Sequence, residues 1–373
     1  MKILLINSVC GIGSTGKICG AIAKEYEKKG YEVKIAYGRD AQVPEEYRKY
    51  AVQIGNSTEV KMHALKSKLW DAHGLGSKKA TKEFLEWATK YNLDELWLHN
   101  IHGYYIHYEL LFDWIKSRPK MKVYWTLHDC WAFTGHCAYF SYVGCEKWKS
   151  GCGGCPQLKE YPSSLGVDNS DKNFQRKKKA FLGVKDMTLI TPSKWLASLV
   201  KESFLGQYPI KVSYNTIDHN IFKPTPGNFR EKYGIKNKKV VLGVASVWEP
   251  RKGLDDFLQL SSMLSDDYAI VLIGLSKKQC ENLPKNVIGI ERTNNQEELA
   301  MIYTTADVFV NPSKEETFGM TTVEALACGA TPIVYKGTAC EEIVDMYGGI
   351  AVNMDINSLY KAIVSVAESG GQE

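Results

Sequence analysis

Two carboxylates and the turn between them carry the most chemistry in this 373-residue sequence. Glu316 and Glu324 bracket Thr317-Phe318-Gly319, in a segment that runs from Asn311-Pro312-Ser313 through Ala327-Cys328-Gly329 to Pro332-Ile333-Val334. Pro312 stops an apolar run over residues 306–310, good helix formers follow from Thr321 to Ala327, and Gly329 closes that helix. The backbone N–H groups of Thr317, Phe318 and Gly319 are then expected beside a helix N-terminus, where unpaired donors and the helix dipole favour an anion such as a diphosphate. Glu324 lies about two helical turns beyond Glu316, so the two acids suit opposite ends of an elongated ligand. Carboxylates accept hydrogen bonds and sugar hydroxyls donate them.

Three further sets of residues have chemistry to offer. His128 ends the apolar run Val123-Tyr124-Trp125-Thr126-Leu127, and the carboxyl end of a parallel strand is where such sheets present ligand-binding groups. His99 and His102 follow a second such run, residues 95–98. Gly11-Ile12-Gly13-Ser14-Thr15-Gly16-Lys17 is a glycine-rich turn between a strand and a helix, where small residues let backbone approach a ligand. Cys137, Cys145, Cys152 and Cys155 crowd one irregular segment, and four thiolates ending in Cys152-Gly153-Gly154-Cys155 suit a tetrahedral structural Zn²⁺, with free buried thiols as the alternative.

The pattern around Glu316 and Glu324 resembles the Glu-x7-Glu signature of retaining glycosyltransferases of family 4. That resemblance implies a GT-B fold, two doubly wound Rossmann-like domains facing a cleft, with Glu316 on the donor sugar and Glu324 on the nucleotide ribose. Val247-Trp248-Glu249-Pro250-Arg251-Lys252-Gly253 resembles the family segment whose lysine neutralises the donor diphosphate, which places Lys252 there with Arg251 beside it. An arginine common in the family six residues before that lysine is Ser246 in this chain. The resemblance also puts His128 on the donor sugar, Gly11 and Gly13 near the donor phosphates, and His99 and His102 on the acceptor side. Trp131 to Phe140 resembles a branch found among bacterial capsule and exopolysaccharide enzymes. No Asp-x-Asp metal site stands in the sequence, so no cofactor is expected for catalysis.

These residues need a scaffold that brings distant loops together. Apolar runs at 2–6, 32–37, 95–98 and 123–127 alternate with helical patterns, and runs at 240–244, 268–273, 287–289, 306–310 and 331–334 repeat the scheme, which predicts an α/β chain of two doubly wound sheets. Pro224 and Pro226 lie in a turn-rich connector over residues 212–227. The expected division is 1–210 for an acceptor-side domain and 211–355 for a nucleotide-sugar domain, with a last helix at 356–373 returning to the first.

With 44% hydrophobic and 24% charged residues, the composition is that of an ordinary globular protein. Residues 1–210 hold 31 Lys and Arg against 21 Asp and Glu, or +10, while residues 211–373 hold 16 against 21, or −5. The basic half should meet something anionic. No nucleic-acid motif stands in it, so a lipid diphosphate on an anionic membrane surface is the expected partner. Leu65, Leu69, Trp70, Leu75, Phe84 and Trp87 lie among lysines over residues 60–90, a mixture suited to a headgroup layer. No run approaches the roughly 18 apolar residues of a spanning helix, and the N-terminal strand turns polar too soon for a secretion signal. The expectation is a cytoplasmic enzyme, peripheral on the inner face of the membrane, that transfers a hexose-type sugar from a UDP or GDP donor to a saccharide acceptor, lipid-linked, with retention. The alternatives are a GT-B sugar-nucleotide epimerase and a non-catalytic carbohydrate or membrane adaptor.

Overall fold

The computed structural model describes residues 1–39 and 42–369, which form two compact units divided between Ser213 and Tyr214. In the first, seven parallel strands, β1 (Lys2–Ile6), β2 (Glu32–Tyr37), β3 (Ala51–Gln53), β4 (Glu95–Leu98), β5 (Lys122–Thr126), β6 (Met187–Thr191) and β7 (Ile210–Val212), lie in the order β3-β2-β1-β4-β5-β6-β7. Helices α1 (Gly13–Lys28), α2 (Ser57–Trp70), α3 (Lys78–Tyr91), α4 (Tyr108–Lys116), α5 (Ser170–Phe181) and α6 (Lys194–Glu202) fill the crossovers. A sheet covered on both faces needs apolar residues on both sides of each strand. Strand β1 meets this by alternation: Ile3 and Leu5 join a core with Val33, Ile35 and Cys19, whereas Leu4 and Ile6 join a second core with Leu96, Leu98 and Trp125.

The second unit repeats the plan with six parallel strands, β8 (Lys239–Val244), β9 (Tyr268–Ile273), β10 (Val287–Ile290), β11 (Val308–Asn311), β12 (Thr331–Tyr335) and β13 (Ile350–Val352), in the order β10-β9-β8-β11-β12-β13. Every residue of β9 is buried. Around this sheet lie α7 (Phe229–Lys232), α8 (Leu254–Met263), α9 (Lys277–Cys280), α10 (Gln296–Thr305), α11 (Met320–Ala327), α12 (Ala339–Tyr347) and α13 (Ile356–Ser369).

Two expectations about the division change. Strand β7 pairs with β6 through Leu189–Ile210 and its neighbours, so the first unit runs three residues past the expected boundary at 210. The last helix belongs to the second unit, not the first. Leu359, Ile363 and Ala367, at i, i+4 and i+8, bury one apolar stripe against Val241, Phe257, Val308 and Ile333.

The long stretch between β5 and α5 carries the crowded cysteines and is built around its own aromatic core. Trp131, Phe133, Phe140 and Trp148 are all buried, with Phe140 and Trp148 stacked at 4.8 Å between centroids. Lys177 of α5 is buried beneath it, donating from Nζ to the carbonyls of Trp131 (2.6 Å) and Thr134 (3.0 Å) and lying 3.6 Å from the Trp131 ring. The buried pair His136 Nδ1–Asp71 Oδ1, 2.5 Å apart, ties the stretch to the end of α2. Such a loop is ordered because its polar groups find partners inside it.

Candidate functional site

Both sheets reverse their strand order once, between β1 and β4 in the first unit and between β8 and β11 in the second. Crevices for ligands open at the carboxyl ends of strands flanking such a switch. The residues singled out by chemistry fall at those two places.

In the second unit, the turn after β8 carries Arg251 and Lys252, and the turn after β11 carries Glu316. The Lys252 ammonium donates to the Glu316 carboxylate in a close ion pair with side chains 19% and 13% exposed, a shielding that makes their charges count. Burial alone would push the Glu316 pKa up, but Lys252, Arg251 and the Thr317 amide outweigh it and hold the carboxyl below its ordinary value. The Thr317 N–H donates to Glu316 Oε1 (3.2 Å), and the Ala339 N–H donates to the Glu316 carbonyl (3.1 Å). One of the three amides expected to face a phosphate is therefore turned onto the acid beside it.

Gly319 caps α11 at φ 91°, a left-handed backbone that glycine adopts without cost, and a Cβ there would stand 2.5 Å from Cys340 Sγ. No acidic residue occupies the first turn of α11. Phe318 is buried, with its ring 6.4 Å from Tyr214. Glu324 is on α11 as expected and accepts from the Tyr303 hydroxyl at 3.0 Å. Arg251, expected among the donor contacts, is turned inward: Nε donates to Glu249 (3.0 Å) and Nη1 to the Glu315 carbonyl (3.0 Å), which clamps the β8 turn to the β11 turn. It positions Lys252 opposite Glu316.

In the first unit, His99 follows β4 and His128 follows β5, and His99 Nδ1 lies 3.0 Å from His128 Nε2 with the rings stacked. Burial drives the His99 pKa well down and lowers that of His128 to about 4, so both are neutral and one donates to the other at physiological pH. His102 bridges two groups that sequence reasoning left without a role. Its Nδ1 lies 3.0 Å from the Tyr161 hydroxyl and its Nε2 2.9 Å from Asp129 Oδ2. Burial pushes the Asp129 pKa up, yet His102 and the Trp131 amide prevail and keep it below the ordinary aspartate value. His99, His102, His128 and Asp129 line one small pocket. The signal for Asp129 was present, an acid immediately after a histidine at a strand end.

Gly11 and Gly13 lie in the turn after β1. Gly11 has φ 72° and packs so closely under Tyr47 that a Cβ would meet the ring at 2.3 Å, which gives it a packing role; Gly13 opens α1. The wholly buried Asn7 fastens this turn to the β4 loop, accepting from the Asn100 N–H (3.2 Å) and donating to the Val9 carbonyl (2.8 Å).

Cys137, Cys145, Cys152 and Cys155 are free thiols lining one small pocket with Phe140 and Trp148. Cys152 Sγ accepts from the Gly135 N–H at 3.1 Å, and the Cys137 hydrogen bond lowers the Cys155 pKa to about 7. Among the described residues, no group of three or more His, Cys, Asp or Glu is already spaced to hold a metal ion. A shared ion would have to draw the four sulfurs inward.

Residues 227–372 match the family described as glycosyl transferases group 1. The matched residues take in most of the second unit. Among curated proteins the chain is similar to WcaC of Escherichia coli (strain K12), whose name assigns it to glycosyl transfer in colanic acid biosynthesis, with 25% identity over 69% of this chain and 64% of WcaC. It is also similar to the alpha-galactosylglucosyldiacylglycerol synthase of Streptococcus pneumoniae, with 34% identity over 34% of this chain and 38% of that enzyme. The matched stretch thus spans less than two thirds of either relative. Sucrose-phosphate synthase from Thermosynechococcus elongatus shares the fold with a TM-score of 0.72 and 16% identity, over 99% of this chain and 90% of that one. Anabaena Alr3699/HepE, solved in complex with UDP, does so with a TM-score of 0.67 and 16% identity, over 99% and 91%. The fold is GT-B.

Proposed function

We propose that this protein is a retaining glycosyltransferase that moves a hexose-type sugar from a UDP or GDP donor to a saccharide acceptor, lipid-linked, in surface-polysaccharide synthesis at the cytoplasmic face of the membrane. The observation that carries this reading is the Lys252–Glu316 pair at the strand switch of the unit that matches the group 1 glycosyl transferases. Without ligand the two charges neutralise each other. A donor diphosphate offers Lys252 a stronger partner, and the freed carboxylate can then accept from sugar hydroxyls. Lys252, the Phe318 and Gly319 amides and the α11 N-terminus would oppose the charge that grows on the leaving diphosphate. Glu324 would take the ribose, and His128, neutral and held by His99, would hydrogen-bond the donor sugar. Names of similar proteins support the class of reaction and product: WcaC for polysaccharide, the S. pneumoniae synthase for glycolipid, HepE for a UDP-bound state.

A structural zinc on Cys137, Cys145, Cys152 and Cys155 is a separate part of the proposal. Four sulfurs around one pocket support it.

The deciding experiment is a panel of UDP- and GDP-sugars scored by thermal stabilisation and then by transfer. A ligand at a hundredfold its Kd should stabilise the fold by about 2.7 kcal/mol. A shift for one base, with transfer from that donor, is the expected result; no shift with any nucleotide sugar would overturn the reading.

A further inference from the structure

Helix α2 is built inside out. Its buried side chains are His63 and Ser67, four residues apart, and His63 Nε2 accepts from the backbone N–H groups of Gly74 (3.1 Å) and Gly76 (3.0 Å). Apart from Val60, partly buried against the core, the inward face is therefore mainly polar. The outward face is apolar: Met62 is 62% exposed, Leu65 48%, Leu69 38% and Trp70 56%. Met62, Leu65 and Leu69 follow the i, i+3, i+7 spacing of one helical stripe, and Trp70 ends it. The strip continues into the loop before α5, because the Leu165 N–H donates to the Lys68 carbonyl (2.8 Å) and the Asn169 amide to the Trp70 carbonyl (2.9 Å). Leu165 is 75% exposed and Val167 41%. A stretch that needed apolar residues only for its fold would turn them inward, so this arrangement points to a surface that covers them.

Charge says what kind of surface. The helix carries Lys61, Lys66 and Lys68 against Glu59 alone, and Lys61 and Lys68 are exposed beside the apolar stripe. Methionine, leucine and tryptophan between exposed lysines is the composition that lies in a headgroup layer, with rings and methyls among the acyl chains and ammonium groups on anionic lipid. A second copy of this chain would set lysine against lysine across the same stripe. We infer that α2 and the 165–167 loop form a docking surface for an anionic lipid bilayer, which holds the first unit at the plane where a lipid-linked acceptor resides. The acceptor clause rests on the proposed function; the docking surface does not.

The test uses the full chain without nucleotide or acceptor, so that its failure is separate from any failure of the transferase reading. Flotation with phosphatidylglycerol–phosphatidylcholine vesicles is compared with flotation on phosphatidylcholine alone. The wild-type chain should float with the anionic vesicles, less as NaCl is raised. Met62→Gln, Leu65→Gln and Trp70→Gln each remove a partly inserted side chain and should weaken binding by about tenfold apiece, while Lys61→Gln and Lys68→Gln should each weaken it by about fivefold. All five positions are exposed, so the melting temperature should not move, and the Val143→Gln variant serves as an exposed apolar control elsewhere. Equal binding to neutral vesicles, binding untouched by the five substitutions, or a concentration-dependent dimer that the same substitutions dissolve would each overturn the inference.

Discussion

Removing the Lys252 ammonium should separate two effects that coincide in one ion pair. In Lys252→Ala, Glu316 keeps its burial and loses its nearest cation, with Arg251 and the Thr317 amide as the remaining support. Stripping one partner from a buried pair costs about 3–5 kcal/mol, and the residual exposure of this pair, 19% and 13%, together with Arg251, places the loss near the lower end, about 3 kcal/mol. The sign of the pH dependence then reverses. In the wild type the Glu316 pKa is depressed, so its contribution is present above the ordinary value of 4.5 and fades as pH falls through the lower folded value. In the variant desolvation prevails, the folded pKa rises above 4.5, and the carboxylate becomes a liability at neutral pH that protonation relieves. Urea denaturation from pH 8 to pH 4.5 should therefore show a gap between wild type and variant that narrows toward acid. The double variant Lys252→Ala/Glu316→Ala should regain much of the stability while transfer stays down by about 10²–10³-fold, the scale for losing one group that stabilises a leaving anion. A gap independent of pH, or transfer within threefold of wild type in Lys252→Ala, would refute the reasoning.

Gly319→Ala should lose about 1–3 kcal/mol of stability and most donor binding, because its φ is left-handed and its Cβ would meet Cys340; calorimetry with and without nucleotide checks both. The neutral His99–His128 pair should make the fold acid-sensitive. With folded pKa values below 6.5, the histidines take up protons on unfolding, so stability rises with pH between about 4 and 6.5, and His99→Gln/His128→Gln should flatten that limb of the denaturation profile. Asp129→Asn should lower turnover, since Asp129 braces His102 beside His128, while the thermal shift given by UDP or GDP without a sugar, whose proposed contacts Lys252 and Glu324 lie in the second unit, should be unchanged. Metal analysis of protein purified without chelator should return about one zinc per chain, and none would leave the four cysteines as thiols around their aromatic core.

How much of this was legible in the sequence depends on the range of the interaction. Parallel strands buried on both faces read as near-continuous apolar runs, so β1, β2, β4 and β9 were bounded residue for residue. The three-residue strands β3, β7 and β13 carry no such run and form because a neighbouring edge is waiting for them. Glu316 and Glu324 stood out by local spacing and Lys252 by the resemblance of its segment, but the ion pair joins residues 64 positions apart and needs the strand order to bring it about. Arg251 and Asp129 show the limit more sharply: their types were visible, and only the packed turns reveal that each holds a neighbour in place. On α2 the mixture of apolar residues and lysines was visible, but only the packed helix shows that His63 and Ser67 turn inward while Met62, Leu65, Leu69 and Trp70 stay exposed.

The allegiance of α13 sets how this molecule can be taken apart. Had the last helix been shared between the halves, an exchange of either half would require two cuts in the chain, and a severed half would expose the stripe of Leu359, Ile363 and Ala367. As it stands, every strand and helix after residue 213 closes on its own sheet. A single cut in the connector therefore leaves the stripe of Leu359, Ile363 and Ala367 covered by the second unit's own sheet and helices.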